Sequence, residues 1–245
     1  MEYCIMDEFG ETGCEQAVSD IDIDMVRVEG GTFTMGSPDS DPRAKIDEKP
    51  AHRVELSSYC IGRYAVTQKL WTEIMGSNPS YRIGDDLPVH CVSWNDAQEF
   101  IRKLNVRTGR CYRLPTEAEW EFAARGGNMS RGYEYSGSAN IDDVAWYNVN
   151  SGRDGICAVG LKSPNELGIF DMTGNIWEWC QDWKEFYMRG GSLQVNPAGP
   201  SSGFSRAQRG GCGISDAWVC RVTYRGYGGP DDRLAGNGFR LALSE

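Results

Sequence analysis

Residues 209–245, RGGCGISDAWVCRVTYRGYGGPDDRLAGNGFRLALSE, close the chain with firm ends and a loose middle. Arg209-Gly210-Gly211 and Gly238-Phe239-Arg240-Leu241-Ala242 read as sheet. The stretch between is a patchwork of Gly, Ser, Asp, Tyr, Cys and Ile that keeps neither the period of a helix nor that of a strand. Alternation in an extended segment predicts Cys220 and Val222 on one face, with Val219, Arg221 and Thr223 on the other. Phe239, Leu241 and Leu243 share a face in the last strand, the one expected to enter the core.

Upstream, the local signals are clearer. MVRVEGGTFTMGS (25–37) predicts a hairpin turning at Gly30-Gly31. HRVELSSYCIGRYAVT (52–67) predicts a strand whose end at Thr67 caps a short helix closed by Gly76. Ser93 and Asp96 form an acidic capping box ahead of WNDAQEFIRKLN, where Ala97, Phe100, Ile101 and Leu104 fall on one helical face. RLPTEAEWEFAARGG (113–127) carries a second box, Thr116 and Glu119, before another helix with Trp120 and Ala124 on its apolar side. From about 128 to 210 the periodicity fades into Gly, Asn, Ser and Trp, which predicts long irregular loops on an α+β scaffold.

The net charge of −10 is concentrated at the N-terminus. Residues 1–24 hold eight acids and no Lys or Arg, so the other 221 residues carry 27 acids against 25 bases. This predicts an acidic, flexible tail over 1–24 and one domain over 25–245. The balance excludes nucleic acid as a partner, which requires a positive face. None of the nine cysteines falls in a C-x-x-C pair and only His52 and His90 could add imidazole, so neither structural zinc nor another metal or cofactor is expected. No apolar run is long enough for a membrane helix, and the N-terminus lacks the features of a signal peptide.

Seven blocks in order, GGTFTMGS, HRVELSSYCIGRYAVTQ, LPVHCVSWNDAQEF, RLPTEAEWEFAARGG, ELGIFDMTGNIWEWCQDW, RGG…CR and NGFRLA, resemble the formylglycine-generating-enzyme (sulfatase-modifying factor) domain over residues 25–245. The resemblance implies a C-type lectin fold of that type, with little regular secondary structure and long loops. It also implies two cysteines five residues apart after the RGG strand that bind copper and oxidise a substrate cysteine. Those positions are Ser215 and Cys220. A serine oxygen cannot help hold Cu(I) as a thiolate does, and Cys212 stands eight residues before Cys220, at the wrong spacing. The relatives that use iron need a histidine cluster, which His52 and His90 do not supply. GNIWEW, with Asn175 and Glu178, matches a block where the family can hold calcium, or is simply a turn and a tryptophan packing site.

With Arg209-Gly210-Gly211, Ala217-Trp218, Cys220-Arg221-Val222, Arg225, Pro230, Arg233 and 238–242 matching the family, a second set lies between them. It comprises Cys212, Gly213, Ile214, Ser215, Asp216, Val219, Tyr224, Gly226, Tyr227, Gly228, Gly229, Leu234, Ala235 and Gly236. Each of these residues is reachable from an asparagine codon by changing adenines alone. That pattern resembles the variable proteins of diversity-generating retroelements, with a variable region over about 209–245. The resemblance implies a non-catalytic, monomeric protein at the cell surface, lipid-anchored through a segment outside this sequence or located otherwise, the cytoplasm included. Its ligand would be a protein or other macromolecule on another cell or host surface. Tyr224 and Tyr227 are the expected aromatic anchors among small, adaptable neighbours, with Trp218 either an anchor or a fixed residue. The alternative is an oxidase of the formylglycine-generating type that uses Cys220 with an unusual partner.

Overall fold

The computed structural model describes residues 21–188 and 192–245. Its elements run β1 (Met25–Val28), β2 (Gly31–Met35), β3 (His52–Leu56), β4 (Tyr59–Gly62), α1 (Gln68–Met75), α2 (Trp94–Thr108), β5 (Tyr112–Arg113) and α3 (Glu117–Ala124). There follow α4 (Ile141–Val144), β6 (Trp177–Trp183), β7 (Gln194–Val195), β8 (Arg206–Arg209), β9 (Gly226–Gly228), β10 (Asn237–Gly238) and β11 (Ala242–Ser244). The strands make three small sheets, β1-β4-β11-β5, β10-β6-β8-β9 and β2-β3-β7. No described helix is long and apolar enough to cross a membrane.

The expected hairpin at Gly30-Gly31 does not form. β1 pairs with β4, Met25 opposite Gly62, and β2 pairs with β3, Met35 opposite His52. One antiparallel register runs through both pairs, so 25–35 and 52–62 are a single long ribbon that passes from one sheet into another. The bend falls where Gly30 meets Ser57-Ser58. A Cβ on Gly30 would lie 2.6 Å from the Leu56 carbonyl oxygen, and its N–H donates to Ser58 Oγ at 3.0 Å. Glycines here permit close crossing of two backbones, not a turn. The continuous strand expected over 52–67 is likewise split at Ser57-Ser58.

The three helix starts form as expected. Thr67 Oγ1 accepts from Leu70 N–H, and Gly76 adopts the left-handed conformation at φ 78°. Ser93 and Asp96 exchange hydrogen bonds of 3.1 and 2.9 Å, and Thr116 and Glu119 do so at 3.1 and 2.8 Å. Ala97, Phe100, Ile101 and Leu104 are buried. Trp71 stacks on Phe100 (centroids 5.3 Å apart), and Phe239 meets Phe100 edge-on at 5.5 Å. Such buried aromatic pairs add about 0.5–1.5 kcal/mol beyond their area. The C-terminus is thereby sewn into the core, and β11 lies between β4 and β5.

α3 is buried along its whole length, so its three glutamates face the protein interior. The long irregular stretch contains β6, which shows no sequence alternation because it is covered on both faces. Within the segment read as an acidic tail, Ile21 and Ile23 pack against the core and Asp24 pairs with Arg63 at 2.7 Å. Residues 1–20 of that tail lie outside the described residues.

Candidate ligand-binding surface

Four arginines anchor the C-terminal segment. Arg225 forks onto Glu117 at 2.7 and 2.6 Å, Arg221 onto Glu48 at 3.0 and 2.9 Å, and Arg240 onto Glu178 at 2.6 and 2.7 Å. Arg209 donates to Glu121. All four guanidinium residues are buried, none more than 3% exposed. Burial alone would raise Glu117, but the Arg225 charge and hydrogen bonds outweigh it and bring its pKa down to about 2. The fifth arginine of the set, Arg233, is exposed and pairs with Asp96 at 2.6 Å.

These pairings decide the fate of the calcium-like block. Glu178 is taken up by Arg240 and by Trp120 Nε1–H (2.6 Å), while Asn175 closes on the Cys157 backbone at 2.9 and 3.1 Å. The block serves packing. His52 Nδ1 lies 3.1 Å from Pro50 O, and His90 Nδ1 lies 3.1 Å from Pro88 O. Burial lowers the pKa of His90. Among the described residues, no group of three or more His, Cys, Asp or Glu is arranged to hold a metal ion.

The donors at the copper positions do not fit that metal. Ser215 Oγ accepts the Cys212 N–H at 3.0 Å and lies 3.3 Å from Cys212 Sγ, so its oxygen is spent inside the loop. Cys220 is fully buried, and its thiol is pushed up to about 12, chiefly by desolvation and then by Cys212 and Asp216. A hydroxyl in place of one thiol makes a poor Cu(I) pair.

Around Cys220 the backbone departs from the expected strand. Ala217–Cys220 is a turn of 3-10 helix, and Cys220, Arg221 and Val222 are all buried in succession. The alternating faces fail because Arg221 finds its partner Glu48 inside, so a polar residue enters alongside its apolar neighbours.

The structure sorts the interstitial residues into three groups. Ile214 (68%), Tyr227 (65%) and Leu234 (59%) project into solvent, as do Asp216 and Ala235. Ser215, Val219, Gly226, Gly229 and Gly236 are half-buried. Cys212, Gly213, Tyr224 and Gly228 are buried. A Cβ on Gly213 would sit 1.6 Å from Gly155 O, and one on Gly228 would sit 2.8 Å from the Trp179 ring. Tyr224 is an inner anchor: Trp218 meets it edge-on at 5.3 Å, Trp177 lies 5.9 Å away, and Lys45 Nζ rests 4.3 Å from its ring centre.

A loop the sequence did not single out braces this surface. Asn148 N–H donates to Ser215 O at 3.1 Å and its side chain to Asp216, while Ser151 Oγ donates to Gly213 O. Lys45, Trp177, Asn148 and Ser151 are thus part of the site, and neither spacing nor periodicity marks them. Tyr227, on β9 opposite Ala207, forms one wall of a cleft of about 710 Å³ with Phe186 and Phe204.

Comparison with known proteins follows the same architecture. Treponema denticola variable protein 1, a variable protein of a diversity-generating retroelement with the C-type lectin-like fold, aligns with a TM-score of 0.83 at 31% identity. The alignment covers 90% of this chain and 95% of that one. The formylglycine-generating enzyme of Streptomyces coelicolor is 38% identical, over 89% of this chain and 88% of its own length. A protein named chaperone protein LppX from Paenibacillus barcinonensis is 34% identical, over 83% of each. Residues 14–245 match the Sulfatase-modifying factor enzyme 1-like domain, and the chain belongs to that family, with the C-type lectin-like fold.

Proposed function

We propose that this protein is a non-catalytic binding module that presents a diversified surface, built on its last 37 residues, to a protein or other macromolecular ligand on another cell or host surface. Display at the cell surface is part of the same reading. One observation carries it: Ile214, Asp216, Tyr227, Leu234 and Ala235 project outward from a segment in which four arginines are buried in ion pairs. Side chains on so firmly held a backbone can change without unfolding it. The similarity to a variable protein supports the reading, and the hydroxyl of Ser215 in place of a thiol weakens the oxidase alternative.

The test has two arms. Simultaneous exchange of the five outward residues is expected to lower the melting temperature by no more than about 10 °C, since each surface change costs within about 0.5 kcal/mol. Gly213→Ala, whose new methyl meets the Gly155 carbonyl, is expected to unfold or strongly destabilise the protein. Incubation with Cu(I) and a cysteine-containing sulfatase peptide is expected to leave the cysteine intact. Aldehyde formation on that peptide would overturn the non-catalytic reading. Retroelement origin requires a neighbouring reverse transcriptase gene and a near-copy of the 3′ end that differs only at adenines.

A further inference from the structure

Two aromatic rings meet at a corner of the binding face, which forms a shallow notch, and a cation already lies against both. Trp218 and Tyr224 meet at 75° with centroids 5.3 Å apart. Lys45 Nζ stands 4.3 Å from the Tyr224 ring and 5.4 Å from the Trp218 ring, and donates to the Tyr224 hydroxyl. The notch is open to solvent on the Trp218 side, where that indole is 45% exposed. Trp177 backs Tyr224 at 5.9 Å and fixes its position.

Glu48 holds both walls of the notch to the loop that delivers the lysine. Its carboxylate accepts the Lys45 backbone N–H at 3.0 Å and pairs with Arg221, whose Nε–H in turn donates to Trp218 O at 2.8 Å. The Lys45 ammonium adds its bond to the Tyr224 hydroxyl, but the loop is also held through the Lys45 backbone, which does not depend on the ammonium. The notch is therefore built to persist when the ammonium leaves.

From this geometry we infer that the Trp218–Tyr224 notch recognises a cationic side chain, lysine or arginine, of the bound macromolecule, and that Lys45 is its resident stand-in. The inference rests on the binding-module reading and specifies the chemistry that one part of the surface selects. Ring faces attract a cation through their quadrupole, and arginine adds stacking on the indole. A ligand cation gains the contacts Lys45 now makes, and the displaced Lys45 regains the rotamer freedom it loses by lying on the rings.

Lys45→Ala removes the stand-in and leaves the Glu48 bonds in place. The probe is the peptide acetyl-Gly-Arg-Gly-amide, with its norleucine counterpart as a neutral control of similar length, followed by the Trp218 indole N–H resonance. Lys45→Ala should bind the arginine peptide saturably and about fivefold more tightly than the unaltered protein, the factor that one exposed cation–π contact supplies. Trp218→Ala on that background, titrated by calorimetry because the indole reporter is gone, should show no binding, and the norleucine peptide should give no response. If Lys45→Ala alters the fold, Lys45→Met supplies the same comparison with the stem retained. Equal affinity with and without Lys45, an equal response to norleucine, or no response in either lysine variant overturns the inference. Such a failure, with exchange of the five outward residues still tolerated, leaves the display reading standing.

Discussion

Glu117→Gln should be among the most damaging single substitutions that leave side-chain volume almost unchanged. Arg225 places two bonds of 2.7 and 2.6 Å on the Glu117 carboxylate, Arg209 lies 3.6 Å from it, and the Arg225 side chain is only 2% exposed. A glutamine can accept one of these bonds, but its NH₂ then faces the other guanidinium N–H, donor against donor. Besides that one bond, Arg225 would retain the carbonyls of Asp47 and Glu185, at 2.7 and 2.9 Å. Removing one partner of a buried pair costs about 3–5 kcal/mol, because the surviving charge stays desolvated. The titration of Glu117 gives a second route to the same size. A carboxyl drawn from 4.5 to about 2 in the fold contributes on the order of 3 kcal/mol. That contribution is present above pH 4.5 and fades as pH falls towards 2, since the native state holds its proton less tightly than the unfolded chain. Urea denaturation at pH 7 should register the loss, and melting should fall by roughly 6–20 °C for a domain of this size. The exposed pair Arg102–Glu99 is the control, and Glu99→Gln should leave the stability almost unchanged. A Glu117→Gln protein as stable as the Glu99→Gln control, or one with an undiminished acid limb, would refute the reasoning.

Two other consequences concern buried acids and thiols. Asp182 is pushed up to about 7, chiefly by desolvation and then by the neighbouring Glu117 charge, so the native state holds a proton that the unfolded chain releases near 3.8. Stability from this group is full at low pH and declines as pH rises towards 7. Asp182→Asn keeps an acceptor for the Glu117 N–H and should therefore stabilise the protein at pH 8, by up to about 4 kcal/mol, with the gain vanishing near pH 4; an equal effect at both pH values would count against it. Among the cysteines, exposed Cys111 should react with iodoacetamide at pH 8 while Cys220 stays unmodified until the protein unfolds, as mapped by mass spectrometry. With its pKa near 12, Cys220 is thiolate in only about one molecule in ten thousand at that pH. Alkylation of Cys220 at the Cys111 rate would show that the thiol is open and acidic after all.

What could be read in advance was chemistry completed within a few residues. The caps at Thr67, Ser93 and Thr116 span three residues each, so their partners are visible in the sequence itself. Gly30-Gly31 was ambiguous for the opposite reason. The same dipeptide serves a hairpin turn or a close backbone crossing, and the choice is made by Ser57-Ser58, well downstream. Cys220-Arg221-Val222 looked like alternating strand because Arg221 reads as a surface residue until Glu48, 173 positions away, is seen beside it. At the candidate site, the outward residues lie in one contiguous segment and were legible from it. Lys45, Asn148 and Ser151 were not, since each reaches the surface from a loop more than 60 residues distant. Among the residues named in advance, Tyr224 was expected as an outward anchor and instead lies beneath Trp218, 7% exposed.

The arginine pairs also explain how a segment with so little sheet keeps its shape. A backbone that leaves a strand ladder must find other partners for its buried carbonyls. Here two guanidinium groups provide them: Arg209 donates to Tyr224 O at 2.6 Å and Arg221 to Trp218 O at 2.8 Å. Each of these two arginines therefore binds a glutamate from elsewhere in the chain and a carbonyl of the path it supports. Arg240 and Arg225 tie the path to carbonyls outside it, Gly62 O at 2.9 Å and Asp47 O at 2.7 Å. An apolar anchor would contribute burial without direction, whereas a planar fork fixes orientation as well. The net stabilisation of such pairs is small against an apolar replacement, so their worth is geometric. Since these inward contacts hold the path between the sheet ends, Ile214, Asp216, Tyr227, Leu234 and Ala235 carry little of the fold beyond the exposed Asn148–Asp216 bond, and their identity is free to follow the ligand.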